Sequence, residues 1–186
     1  MKIDMKNLRN TAILIIALVA AMLSVSCQKT GTLRFAGNYS FKTGGTLNLV
    51  KDGSPEDAMT VAIPSESGQM DITEVDRKEG RMVVTMNVIG GGMLVYYAQV
   101  DGDRLVLDPT SRHLSFSTAG LDLNLLEQTP DLGGMRISAD VDVTGTGVRY
   151  DDIVLFELHY TGNVETEDES YVIKDSKIDC RARLNQ

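Results

Sequence analysis

Three side chains downstream of residue 30 could act as nucleophiles or bind a transition metal: His113, His159 and Cys180. A zinc site needs three or four ligands, and the sequence does not place further ligands at a suitable spacing. His113 lies in a loop-like stretch and His159 on the polar face of an alternating segment, so both are predicted to be surface residues. Cys180 alternates inward with Ile178 and Ala182, which predicts a buried thiol rather than a nucleophile.

Other local motifs are better explained as turns than as sites. Gly90-Gly91-Gly92 lacks the Lys-Ser or Lys-Thr and the helix of a phosphate loop, so it predicts a hairpin. Asp101-Gly102-Asp103 and residues 52–57 begin like calcium loops, but neither continues as an EF-hand. Glu165, Glu167, Asp168 and Glu169 predict a solvated hairpin tip, with a weak cation site as the minor alternative.

The sequence predicts no catalytic residue, no metal site and no cofactor. No serine lies in a Gly-x-Ser-x-Gly or Ser-x-x-Lys arrangement. Paired carboxylates on loops can converge in space without leaving a linear pattern, so a hydrolase remains a third alternative.

Alternation of apolar and polar residues with a period of two dominates from residue 35 onward, which predicts strands with one buried face. The predicted strands are 35–42, 46–50, 69–75, 82–88, 93–100, 104–107, 137–143, 154–160 and 171–184. Residues 51–57 and 129–134 are predicted loops, and 121–128 fit either a helix or a strand. The predicted fold is therefore all-β, an antiparallel meander closing into a barrel or barrel-like sandwich of about nine or ten strands.

Residues 1–26 have the layout of a secretory signal peptide. A basic start is followed by the apolar run 12–23, which is shorter than the ~20 residues that a membrane-spanning helix needs. The segment resembles bacterial lipoprotein signals, with Leu23 four residues before Cys27 rather than three. This resemblance implies that Cys27 is lipidated, carries palmitate and becomes the mature N-terminus. The alternative is cleavage near Ser26 that leaves an ordinary cysteine.

Removal of the signal leaves a short tether, residues 27–34, and a single β domain, residues 35–186. The whole chain has a net charge of −8, and the signal itself is basic, so the mature part is more acidic still. This acidity argues against nucleic acid as a partner and against electrostatic binding to anionic lipid. The covalent anchor must therefore make the membrane contact. With Cys27 acylated, Cys180 would be a free thiol.

The segment Phe35-Ala36-Gly37-Asn38-Tyr39-Ser40-Phe41 opens the predicted meander close behind Cys27. It resembles the start of the calycin-like β-barrel lipoproteins of the Bacteroidota, which implies a lipocalin/calycin-like barrel. It is also similar to the lipocalin opening, which implies that Tyr39 lies at the barrel floor beneath Arg181 or Arg183. The resemblance further implies an anchor in the outer membrane. Since residues 28–31 lack the acidic run of surface-export signals, the domain is expected to face the periplasm.

The expected function is that of a noncatalytic binding module of the cell envelope. Inward-facing apolar side chains would leave a cavity at one barrel mouth for a small, partly apolar ligand. Met82, Met86 and Met93 are candidate lining residues, with core packing as the alternative for each. The alternative function is an envelope interaction or assembly protein that uses an exposed sheet edge or acidic loops to bind another envelope protein.

Overall fold

The structure is a computed structural model that describes residues 31–118, 136–166 and 169–185. The signal peptide, Cys27, residues 121–128 and 129–134, and the acidic residues Glu167 and Asp168 lie outside these ranges, so the statements made about them above stay predictions. Within the described ranges, no helix is both long and apolar enough to cross a membrane.

One short helix precedes nine strands in the described part of the chain. The elements are α1 (Gly31–Phe35), β1 (Gly37–Lys51), β2 (Ser54–Ile63), β3 (Ser67–Asp76), β4 (Arg81–Val88), β5 (Gly92–Asp101), β6 (Arg104–Ser117), β7 (Arg136–Tyr150), β8 (Ile153–Glu165) and β9 (Ser170–Leu184).

Eight strands close an antiparallel barrel in the order β1-β3-β4-β5-β6-β7-β8-β9, and β9 pairs back with β1. The ninth strand, β2, precedes β3 along the same edge of β1. Gly45 pairs with Ile63 of β2, and Lys42 pairs with Ser67 of β3. Residues 64–66 form the link between these two strands. The predicted all-β meander barrel is therefore confirmed.

The barrel interior is filled by alternate residues of every strand, as the period of two requires. The largest fully buried side chains are Tyr39, Phe35, Leu47, Leu49, Met70, Ile72, Met82, Leu105, Ile137, Ile178, Val61 and Val84. Mid-barrel, a void of only about 10 Å³ remains between Met86, Tyr96, Phe156, Cys180 and their neighbours. It has room for about one water molecule, so this part of the core is packed.

Helix α1 closes one end of the barrel, which we call the closed end. Its last residue, Phe35, is completely buried, and the main-chain oxygen of Phe35 accepts a hydrogen bond from the Tyr39 hydroxyl at 2.7 Å. Thr32 of α1 donates a hydrogen bond to Glu74 at the end of β3. Arg34 of α1 donates to the main-chain oxygen of Arg149 at 3.0 Å, and Arg149 donates to that of Arg34. The helix is thus fixed to the barrel by one apolar side chain and several hydrogen bonds.

Several predicted boundaries are wrong. Residue 35 does not begin a strand: it is the last residue of α1, which begins in the predicted tether. The predicted strands 35–42 and 46–50 are parts of the single strand β1, which begins at Gly37. Residues 51–57 do not form a loop, because only Asp52 and Gly53 make a turn before β2 begins. Strand β6 also continues ten residues past its predicted end at Leu107.

Both predicted glycine turns are confirmed. Gly90 and Gly92 have φ values of 77° and 86° in the β4–β5 hairpin, and Gly102 has φ of 61° in the β5–β6 hairpin. Glycine adopts this left-handed region without the steric cost that a side chain brings.

The barrel wall opens between β5 and β6 at the end opposite α1, which we call the open end. These strands pair only from Ala98 with Leu107 to Asp101 with Arg104. Pro109 has no N–H to donate, which suits a site where pairing stops. From Thr110 onward, β6 pairs with β7 alone among the described strands.

Candidate functional site

A cavity of about 240 Å³ lies at the open end, and we call it the mouth cavity. It is bordered by the end of β2, the link 64–66, the β4–β5 turn, the second half of β6, and one residue of β8. Its lining residues are Ile63, Pro64, Glu66, Gly91, Arg112, His113, Leu114, Ser115, Phe116 and Tyr160.

Arg112 faces the mouth cavity because of an irregularity in β6. Leu105 and Leu107 point inward, and the pairing of β6 with β7 then shifts register between Leu107 and Thr110. After this bulge, the even-numbered residues lie on the inward face. The shift therefore turns Arg112 into the barrel and leaves His113 on the outer face.

Glu66 is held by the main-chain contacts of the link. The main-chain N–H of Thr43 donates to the Glu66 carbonyl at 2.7 Å, and the Thr43 hydroxyl accepts from the Glu66 N–H at 3.1 Å. Ser65 donates its hydroxyl proton to the Thr43 carbonyl at 2.6 Å. The backbone of Glu66 is thus fixed on β1, and its side chain reaches Arg112.

Tyr160 is positioned by a second irregularity, where the β8–β9 pairing shifts register between Leu158 and Asn163. The Tyr160 N–H instead donates to the buried hydroxyl of Ser176 at 2.7 Å. This leaves the Tyr160 ring inward, where its hydroxyl accepts a hydrogen bond from Arg112 Nη1 at 3.2 Å.

Arg112 joins these elements in one polar group beneath the mouth cavity. Its Nη2 donates to Glu66 Oε1, and its charge also acts on the nearby Tyr96 hydroxyl. Glu66 and Arg112 lie 46 residues apart in sequence, Glu66 in the link between β2 and β3 and Arg112 on β6, so the ion pair joins parts of the barrel that are not neighbours in the sheet. We call Arg112, Glu66, Tyr160 and Tyr96 the floor cluster.

The environment of the floor cluster keeps its arginine charged and its tyrosines neutral. Burial raises the pKa of both Tyr160 and Tyr96 above the ordinary value, although the charge of Arg112 opposes the shift. Burial lowers the pKa of Arg112, but the hydrogen bond to Glu66 and the interaction with Tyr160 outweigh it, and the net pKa is raised. At neutral pH both hydroxyls therefore retain their protons.

The mouth cavity combines this polar floor with apolar walls. Ile63 and Phe116 are partly buried against the core, and Leu114 is buried on the inward face of β6. Such a site can bind a molecule with one polar end and an apolar remainder, since apolar burial supplies affinity and a few polar groups supply orientation.

Cys180 lies in the packed core and borders the small void that Tyr96 also lines. It is almost completely buried, as predicted. Cys27 lies outside the described residues, so the free state of the Cys180 thiol stays a prediction. Burial raises the pKa of its thiol to about 12, so the reactive thiolate is scarce at neutral pH.

Of the three candidate methionines, Met82 and Met86 are buried in the barrel core. Met93 is 65% exposed on the outer face of β5, so its selection as a lining residue is wrong. The residues of β5 that face inward are Leu94, Tyr96, Ala98 and Val100.

The two histidines lie on the outer surface of the barrel, as predicted. His159 is exposed on β8, and His113 lies on β6, where its ring Nδ1 is 2.8 Å from Asp140 Oδ1. The loop predicted around His113 is wrong, because this residue lies within a strand.

Tyr39 lies at the closed end, fully buried, but neither predicted arginine accompanies it. Arg181 and Arg183 point into solvent from β9. The guanidinium that reaches the Tyr39 hydroxyl belongs to Arg149, at 3.4 Å. The lipocalin-like pairing of Tyr39 with a C-terminal arginine is therefore wrong.

The described part of the acidic cluster is held by a lysine rather than by a cation site. Glu169 accepts a hydrogen bond from Lys51 Nζ at 2.5 Å and another from the Tyr171 hydroxyl, and these bonds lower the pKa of Glu169. Across residues 31–118, 136–166 and 169–185, no three His, Cys, Asp or Glu side chains form a group that could hold a metal ion.

Sequence reasoning missed both charges of the floor cluster. For Arg112, a signal was available: Leu114 and Phe116 alternate with serines after Pro109, which is the pattern of a strand with Arg112 on its apolar face. For Glu66, the local sequence Pro64-Ser65-Glu66 has only the composition of a loop, and its partner lies far away in the chain.

No family model matches the chain, and no curated protein matches it. Among solved structures, the chain is similar to "EF1p2_mFAP2b bound to DFHBI", with 13% sequence identity, coverage of 85% of this chain and 99% of that chain, and a TM-score of 0.43. It is also similar to a redesigned beta barrel, b11L5F_LGL, with 11% identity, coverage of 84% and 96%, and a TM-score of 0.35. At these values neither similarity bears on function.

Proposed function

We propose that this chain is a lipid-anchored protein of the cell envelope whose barrel binds a small, partly apolar ligand in the mouth cavity without catalysing a reaction. The observation that carries the proposal is the mouth cavity itself. Its volume of about 240 Å³ is open above a core that is otherwise packed, and it has apolar walls over a charged floor. An engineered apolar cavity of roughly 150 Å³ binds benzene, so this volume suits a ligand of about ten non-hydrogen atoms.

Ligand binding can be tested by native mass spectrometry of the full-length protein purified from its own envelope in mild detergent. We expect a retained small molecule in the wild type. The substitution Ile63→Trp fills the mouth cavity and should remove that molecule, whereas Leu155→Trp places the same bulk on the exposed outer face of β8 and should not. Absence of any bound molecule, or retention in Ile63→Trp, contradicts the proposal.

The anchor is proposed to be Cys27, in the outer membrane and facing the periplasm, on the strength of the signal-like sequence before it. Several acyl chains hold a protein firmly at a membrane where one chain would be marginal. Wild-type protein should incorporate labelled palmitate and partition into the detergent phase, and Cys27→Ala should do neither. Protease added to intact cells should spare a periplasmic domain.

A second candidate function, an interaction or assembly protein, is favoured by the edge of β5. Residues 92–97 have no partner strand on the β6 side within the described residues, and Met93, Val95 and Tyr97 are exposed apolar side chains on this strand. Unpaired apolar edges can bind a strand of another protein. In the purification above, a stoichiometric co-purifying protein without a small molecule would favour this function.

A further inference from the structure

The floor cluster offers more hydrogen-bond donors than acceptors to the mouth cavity. Arginine has several N–H groups and no acceptor. Tyr160 accepts a hydrogen bond from Arg112, so its hydroxyl proton remains to be donated elsewhere. Among the described residues that line the cavity, Glu66 is the only carboxylate. A head group with acceptors and no donors, such as a carboxylate, complements this floor.

The two charges of the floor cluster differ in how firmly they are buried. The side chain of Arg112 is 13% exposed and extends from the middle of β6, whereas that of Glu66 is 26% exposed and extends from the link. A buried cation left without a partner is costly, while a carboxylate at the edge of the cavity can turn toward water. Of the two, Glu66 is therefore the one that a competing anion can replace.

The walls restrict the remainder of such a ligand. His113 and Ser115 also border the cavity, but Ile63, Leu114 and Phe116 supply most of its apolar lining. A molecule that places its anionic group on Arg112 must therefore present an alkyl or aryl group to these side chains. The cavity volume keeps that group small.

From these observations we infer that the ligand is a small apolar monocarboxylate that binds head-first and replaces Glu66 on Arg112. This inference rests on the proposed function, because it names the ligand class of the same cavity. Glu66 acts in it as an internal substitute for the ligand carboxylate, keeping the arginine paired while the cavity is empty. The exchange breaks only noncovalent contacts, and Glu66 gains water in place of the guanidinium.

The effect of Glu66 on affinity separates this inference from its opposite. If the ligand were a cation, Glu66 would bind it and Arg112 would repel it. If the ligand is a carboxylate, Glu66 competes with it, so Glu66→Gln should strengthen binding. Arg112→Gln should have the reverse effect in each case.

The experiment is calorimetric titration of the full-length protein in non-ionic detergent with 3-phenylpropanoate, 3-phenylpropylamine and 3-phenylpropanol, which differ at the head group. We expect the acid to bind about tenfold more tightly than the amine or the alcohol. Glu66→Gln should increase affinity for the acid several-fold, and Arg112→Gln should abolish it. Arg112→Lys, which keeps the charge but loses the planar fork, should weaken it. Glu157→Gln and Arg181→Gln make the same chemical changes on exposed outward-facing residues and should leave affinity unchanged.

Tighter binding of the amine, or weaker binding of the acid by Glu66→Gln, overturns the inference. So does equal binding of all three probes, or no binding of the acid. In these cases the proposed function survives if protein purified from the envelope still carries a small molecule that Ile63→Trp removes, so the two failures are distinguishable. Glu66→Gln tests the inference even if Arg112→Gln fails to fold, because it is expected to bind more tightly and must fold to do so.

Discussion

The two ends of the barrel use an arginine and a tyrosine in different ways. At the closed end, Arg149 Nε donates to the main-chain oxygen of Asp151 at 2.7 Å, and the Tyr39 hydroxyl donates to that of Phe35. At the open end, Arg112 donates to the Glu66 carboxylate and to the Tyr160 hydroxyl beside a cavity. Main-chain acceptors cannot leave without unfolding, whereas a side-chain acceptor can rotate away.

Because of this difference, we expect the two ends to contribute differently to the stability of the fold and to the exchange of ligand. At the closed end, the ring of Phe35 is fully buried and polar groups bind the backbone, so these contacts should contribute mainly to folding. The open end has partly buried walls around empty volume, so its contacts should contribute less to folding and more to binding. The three predictions below test this contrast, beginning with the largest expected effect.

Replacement of Phe35 at the closed end should lower the free energy of unfolding the most. Phe35→Ala removes a completely buried ring and should lower the free energy of unfolding by about 3–5 kcal/mol, measured by urea denaturation. Phe116→Ala removes a partly buried ring at the mouth cavity and should cost roughly 1 kcal/mol. Equal losses at the two ends would remove the contrast between them.

Replacement of the ion pair by apolar residues should leave folding intact but eliminate binding. In the double variant Arg112→Met with Glu66→Met, we expect unfolding free energy to stay level or rise by about 1–4 kcal/mol, because a buried pair also loses its desolvation cost. Arg112→Met alone should be less stable than the double variant. Thermal unfolding and titration with 3-phenylpropanoate measure the two effects separately. A marked loss of stability in the double variant would show that the pair is needed for folding.

The smallest effect concerns acid pH at the closed end. Hydrogen bonds from Thr32 and then from Arg77 lower the pKa of Glu74 below its usual value near 4.5. A carboxyl with a lowered folded-state pKa stabilises the fold above the unfolded-state pKa, and this contribution is lost as pH falls through the folded-state value. An NMR titration of the Glu74 carboxyl should give a midpoint below 4.5, and protection of α1 amides should fall over the same pH range. Glu74→Gln should make that protection insensitive to pH, and a normal midpoint would contradict the prediction.

The barrel was predictable from the sequence where one face of a strand is apolar and the other polar. In β7, Ile137, Ala139, Val141 and Val143 alternate with polar residues, and all four are buried. In β5, both faces are apolar, so the pattern alone could not show that Tyr96 points inward and Met93 outward. That choice depends on pairing with β4, where Val84 lies opposite Tyr96.

Pairing with a neighbouring strand also explains the strand that was not predicted. β2 begins with the polar sequence Ser-Pro-Glu-Asp, which favours a loop, yet it pairs with β1 from Lys51 back to Gly45. Local composition is a weak determinant of a strand whose partner supplies the hydrogen bonds.

The pairing of Arg112 with Glu66 was beyond the reach of local patterns, although the alternation after Pro109 could have indicated that Arg112 faces inward. Arg112 faces inward only because the bulge after Leu107 changes which residues point into the barrel, and its acidic partner comes from a link on the other side. The sequence indicated a mouth cavity in general terms but could not indicate its charge.

The position of α1 has a consequence for the direction in which the barrel faces. Gly31 lies four residues after Cys27. Four residues of fully extended chain reach about 14 Å at most. An acyl group on Cys27 would therefore hold the closed end of the barrel against the bilayer and point the open end into the aqueous compartment. Ligands would then arrive by diffusion through water rather than laterally from the lipid. This route favours molecules that are soluble enough to diffuse without a carrier protein.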